Sequence, residues 1–120
     1  MEKLVRAYAA YAHAEDDSAE QRENFWAFTQ FNLLASLDPA ATWETVKQLL
    51  SFDCSDRVLE LVAAGPVEEL FLNHGSRVIA AVEKDAAENK VIADMLGGVW
   101  KSDIDQDVWR RVEVARSRKW

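Results

Sequence analysis

The sequence predicts an all-α fold, and three observations predict it. The run Asn24-Phe-Trp-Ala-Phe-Thr-Gln-Phe-Asn-Leu-Leu34 places four aromatics and two leucines in eleven residues without a Gly or Pro. No stretch alternates apolar and polar residues for long enough to make a half-buried strand. Only four glycines and two prolines punctuate the 120 residues, and they fall where helices would start or stop. At about 100° per residue, Phe25, Phe28 and Phe31 cover one side of a helix, while Trp26, Leu33 and Leu34 cover others. A helix apolar nearly all round must be enclosed by other elements. The run is therefore expected to be the central post of one domain, residues 1–120, built as a bundle of six to eight helices, several of them short.

The elements follow in order. Residues 2–14 read as a first helix, with Leu4, Tyr8 and Tyr11 at i, i+4 and i+7, stopped by Glu15-Asp16-Asp17. Ser18 is placed to cap the second helix, with Gln21 completing a capping box, and that helix should end near Leu37. Asp38-Pro39 starts a third, because Asp accepts from free N–H groups and Pro has the right φ for the first helical position. Trp43, Val46, Leu49 and Leu50 carry this helix to about Phe52. After the polar joint Asp53-Cys-Ser-Asp56, a brief helix over Val58–Val62 should stop at Gly65. Pro66 should open the next, with Glu68 and Glu69 in its positive first turn and Gly75 capping its end. A helix with Val78, Ile79 and Val82 reaches about Glu88, and Val91–Leu96 add a turn or two before Gly97-Gly98. The last helix should begin after Ser102 or Asp103 and carry Val108, Trp109 and Val112. Pairs such as 39–52 with 56–64 leave a helical-repeat arrangement open.

Charge bounds the function classes. The chain has 21 acids against 14 bases, and the surplus is uneven: residues 1–100 carry 17 acids and 8 bases, residues 101–120 carry 4 and 6. Phosphate binding needs a cationic surface, so nucleic acid is not expected as the partner. An acidic body suits solubility and the capture of a basic protein partner. No run is long enough to span a membrane, and the N-terminus lacks the apolar core of a signal peptide. A lone cysteine, Cys54, suits a reducing cytoplasm.

No catalytic motif stands out. His-Glu-x-x-His, paired cysteines, a calcium loop and a phosphate loop are all missing, so neither a metal nor a cofactor is expected. Cys54 sits between Asp53 and Asp56, the wrong setting for a thiolate nucleophile. Trp43, Trp100 and Trp109 read as packing, Trp120 as a residue docking back on the body, and Thr29, Asn32 and Ser36 as a polar stripe on the aromatic helix. Asp53, Asp56 and Glu60, at i, i+3 and i+7, would line one helix face, with Glu44 joining them across the hairpin. That face could hold Lys or Arg of a partner or simply be solvated.

The pattern as a whole resembles a family of small bacterial proteins classed only as a domain of unknown function. The resemblance rests on Phe25-Trp26, Asp38-Pro-Ala-Ala-Thr-Trp43, Leu61-Val-Ala-Ala-Gly-Pro-Val-Glu-Glu-Leu70, Gly98-Val-Trp100 and Val108-Trp109. It implies a helical single domain and brings no activity with it. Glu68, Glu69 and His74 are the polar residues its most specific segment would present. The expectation is a non-enzymatic interaction module holding a basic partner through Asp53, Asp56 and Glu60, for example an immunity protein or an inhibitor. A small hydrolase or transferase using His74 with Glu68 or Glu69 is the first alternative, and a structural subunit of a larger assembly the second.

Overall fold

The computed structural model describes residues 2–117. Trp120 lies outside them. Seven α-helices and one π turn make up the described chain: α1 Glu2–His13, α2 Ala19–Leu37, α3 Pro39–Phe52, α4 Asp56–Val62, the π turn Ala63–Val67, α5 Glu68–Glu88, α6 Lys90–Leu96 and α7 Gln106–Ala115. The caps that set these boundaries are largely those written in the sequence. Ser18 accepts from the Gln21 N–H at 3.1 Å, and Asp38 accepts from the Ala41 N–H at 3.1 Å with Pro39 as the first helical residue. Asn89 and Asp105 do the same for α6 and α7. One detail of the box differs: the Gln21 side chain accepts from Asp17 N–H, not from Ser18.

α5, not α2, organises the bundle. It packs on α2, α3, α6, α7 and the π turn, whereas α1 closes the opposite side against α2, α3 and α4. The expectation that the aromatic helix is an enclosed post is corrected here. On α2 only Ala27, Phe31 and Ala35 are buried, a narrow stripe of mostly small residues that lets its neighbours come close. Phe31 meets Tyr8 of α1 edge to face at 4.9 Å, with both side chains fully buried. Phe25 and Phe28 stack at 5.7 Å and gather with Tyr11 in a satellite cluster at the α1 side. Of the other large apolar residues of α2, Leu34 is half-buried and Trp26, Leu33 and Leu37 are exposed.

Two expected helix ends are not ends. The chain stays helical through Gly65 and Pro66, because the π turn absorbs the position where proline has no N–H to give. Gly65 is there because the backbone approaches a polar pair: a Cβ on it would come 3.2 Å from Asn32 Oδ1 and 3.6 Å from the Tyr8 hydroxyl. Both oxygens are buried without a hydrogen-bond partner among the described residues, and burial pushes the Tyr8 phenol far above its ordinary range. The other members of the expected stripe bond their own helix, Thr29 to the Phe25 carbonyl and Ser36 to that of Leu33. Gly75 has no left-handed φ and caps nothing; α5 bends one residue earlier, at His74 (φ −141°, ψ 24°). Gly75 is instead the point where α7 crosses α5, against Val108.

Polar staples fix the helices about this core. Trp43 of α3 donates its indole N–H to Asp85 of α5 at 2.7 Å, and Lys47 lies 3.2 Å from the same carboxylate. Arg111 of α7 reaches Glu83 of α5, its Nε 2.9 Å from Oε2. At Asp85 burial works to raise the carboxyl, but the indole and Lys47 outweigh it and hold it below the usual range. A lowered folded-state value means stability present above the unfolded value and lost as pH falls through the folded one. Asp85→Asn should therefore be less stable than wild type near neutrality, with the gap closing below about pH 4. Urea unfolding at several acid pH values measures this, and a gap independent of pH would contradict it. Trp109 is buried as expected, but Trp100 is 76 % exposed and is not core. Among the described residues, no helix is long and apolar enough to cross a membrane.

Candidate functional site

The residues singled out in the sequence do not form one face. Asp53 ends α3, its N–H donating to the Leu49 carbonyl, and so precedes α4 instead of lying on it. Its carboxylate is already engaged: Oδ2 lies 2.9 Å from His13 Nε2, and Oδ1 accepts from the Ser55 N–H at 3.0 Å. Burial works to raise Asp53, and the bonds from Ser55 and His13 overcome it, leaving the carboxyl below its ordinary range. Ser55 Oγ is 3.1 Å from the same His13 Nε2. Serine, histidine and aspartate thus converge, yet both oxygens crowd one ring nitrogen. A proton relay needs the base nitrogen and the oriented nitrogen to be different atoms. The cluster ties the end of α1 to the α3–α4 joint.

Asp56 and Glu60 are exposed on α4. Glu60 lines a shallow hollow with Tyr11, Asp16, Gln21 and Arg57, so the acid that joins it is Asp16. Glu44 does not join; it pairs with Lys47 at 2.9 Å.

Glu68, Glu69 and His74 all lie in the first two turns of α5. Burial, then the neighbouring Glu69, pushes the Glu68 carboxyl above the usual range, against the opposing pull of the Trp100 backbone N–H. Glu69 takes the Asn73 side-chain amide at 3.0 Å. His74 Nε2 is 2.8 Å from the Ser36 carbonyl. A carbonyl only accepts, so this nitrogen carries the proton and donates. The last carbonyls of α2 have no partner within the helix, and His74 supplies a donor for that of Ser36. It is a helix cap for α2, supplied from across the fold. No group of three or more His, Cys, Asp or Glu side chains is placed to hold a metal among the described residues.

A surface that the sequence reading placed in the core stands out instead. Trp26 (42 % exposed), Leu33 (51 %) and Leu37 (70 %) follow one another along the outside of α2, with exposed Thr29 and Gln30 between them. Spacings of seven and four residues keep the three on one side of the helix. From Asn24 to Leu37 there is no charged residue; Glu20 and Glu23 precede this stretch, and Asp38 follows it. The signal was present in the sequence as an apolar helix with too few polar positions for any solvent face.

Residues 14–120 match a family described as "Family of unknown function (DUF6869)". The chain belongs to this family. The match covers α2 to α7, with every candidate residue singled out in the sequence, and begins just after α1. The family description carries no activity, in keeping with the resemblance drawn from the residues. No curated protein and no solved structure matches the chain.

Proposed function

We propose that this family member is a non-enzymatic protein-interaction module that holds a basic partner, and that the partner docks across the outward face of α2. The observation that carries the reading is the uncharged, solvent-facing row Trp26, Leu33 and Leu37. Contiguous exposed apolar surface is costly to maintain and marks interaction sites, and an exposed tryptophan at its head is the residue type that most often dominates binding energy. The acids at both ends of the row, on a chain of net charge −7, favour a segment with an apolar stripe flanked by Lys or Arg. Asp16, Asp56 and Glu60 extend the acidic surface and would speed encounter more than they would hold the complex. The exposed free thiol of Cys54 suits a reducing, cytoplasmic setting, and an immunity or inhibitor protein is the concrete form this reading takes.

The test is co-purification of tagged protein from its source cell, at low and then high salt, beside the double variant Trp26→Ala/Leu33→Glu. Because both side chains face solvent, the variant should fold as wild type does by circular dichroism. A basic protein retained by wild type, released by salt and lost from the double variant is the expected result, with binding weakened at least ~30-fold, about 2 kcal/mol. Equal retention by both forms would move the partner off α2.

The same row also favours the structural-subunit alternative, in which the face is covered within an assembly. Light scattering of the purified protein separates the two: a monomer leaves the face for a transient partner, and a larger, defined mass that Leu33→Glu dissociates supports the subunit.

A further inference from the structure

The corner between α6 and α7 encloses a cavity of about 400 Å³, within the size range of small-molecule sites. Its lining includes the indoles of Trp100 and Trp109 and three charged side chains, Lys101, Glu113 and Arg116. Two cations against one acid make this a cationic spot on an acidic protein.

Arg116 is the residue whose chemistry is unfinished. Its guanidinium carbon lies 5.5 Å from the centre of the Trp109 ring. Nη2 is 3.6 Å from the Glu113 carboxylate, long for a charge-assisted hydrogen bond. Nη1 is buried and has no hydrogen-bond partner among the described residues. A buried guanidinium N–H without an acceptor forfeits its hydration for nothing, so the guanidinium has bonding capacity that the described residues do not use. The backbone holds the residue in place: the Arg116 N–H donates to the Val112 carbonyl at 3.0 Å, and the Ser117 N–H donates to Ala93 of α6 at 3.1 Å.

Trp100 supplies the second half. Nearby Ser102 takes a left-handed φ of 45°. A non-glycine residue in that region is a cost that functional loops often carry. The result is an indole 76 % exposed beside the cationic cavity.

We propose that this corner binds a small planar aromatic acid. Its anionic group, a carboxylate or a phosphate, is held by the Arg116 guanidinium with Lys101 as the second cation, and its ring packs on Trp100. This site is independent of the α2 face and of the partner proposed for it.

The experiment is a titration of ¹⁵N-labelled protein with benzoate, phenyl phosphate and the neutral benzamide at constant ionic strength. The indole N–H signals of Trp100 and Trp109 and the amides of Gly97 and Gly98 are followed. At least one anion should give saturable shifts there, with benzamide at least tenfold weaker. The tighter of benzoate and phenyl phosphate identifies the group. Arg116→Gln should weaken the anion about tenfold and leave benzamide unchanged, and Trp100→Ala should weaken all three. Should Arg116→Gln disturb the corner, Lys101→Gln at an exposed position gives the same test, with a smaller, anion-specific loss. Absence of saturation with both anions, equal binding of benzamide, or anion binding indifferent to the charge substitutions would overturn the assignment.

Discussion

Phe31→Ala is expected to cost about 3–5 kcal/mol of stability, while Leu33→Ala, two residues along the same helix, costs less than about 0.5 kcal/mol. Phe31 is fully buried and packs edge to face on Tyr8, so truncation removes both its transfer free energy and its contact with an aromatic partner that cannot collapse into the gap. Leu33 is half exposed, and alanine is at least as good a helix former. Guanidinium unfolding of the two variants measures the difference directly. The comparison also bears on function, because a cheap Leu33 is a residue the fold does not need. If the two substitutions cost the same, α2 is enclosed on all sides and its outer face is no docking surface.

The second large effect lies at the crossing of α5 and α7. A Cβ on Gly75 would stand 2.9 Å from Val108 Cγ1 and 3.1 Å from Cγ2. Val108 is buried and β-branched, with a stiff χ1, so it cannot swing aside and the helices must separate. Gly75→Ala is expected to destabilise by about 1–3 kcal/mol from overpacking, less up to about 1 kcal/mol that alanine returns by its helix preference. In the Val108→Ala background the clash is gone and only the helix preference remains, so the same substitution should stabilise. A double-mutant cycle by thermal and urea unfolding reads this change of sign. Gly75→Ala stabilising in both backgrounds would mean that the helices are not in close contact there.

Much of the fold was legible because it is written locally. Ser18, Asp38 and Pro39 mark helix starts through the geometry of their own side chains, and the helix over 39–52 appears with the expected bounds. Gly65, Pro66 and Gly75 were misleading for the complementary reason. Their usual meaning as breakers assumes nothing nearby, whereas here a π turn carries the proline and a crossing helix demands the missing Cβ. His74 is a helix cap, but the carbonyl it serves belongs to a residue 38 positions earlier, which no local pattern reports. Asp53, Asp56 and Glu60 matched a helical spacing, yet Asp53 stands outside the helix and is held by His13 from 40 positions away.

The sequence by itself determined that this chain is all-α, where most of its helices begin and end, and that its surface is acidic, because these depend on caps, periodicity and composition within a few residues. Tertiary structure decided which apolar residues are core and which are surface. Periodicity reports that α2 is apolar all round, but only the positions of α1, α3 and α5 decide that Trp26, Leu33 and Leu37 stay exposed. The same holds for Trp100 and Arg116, sixteen residues apart, whose shared cavity exists only because the end of α7 is pinned back across α6.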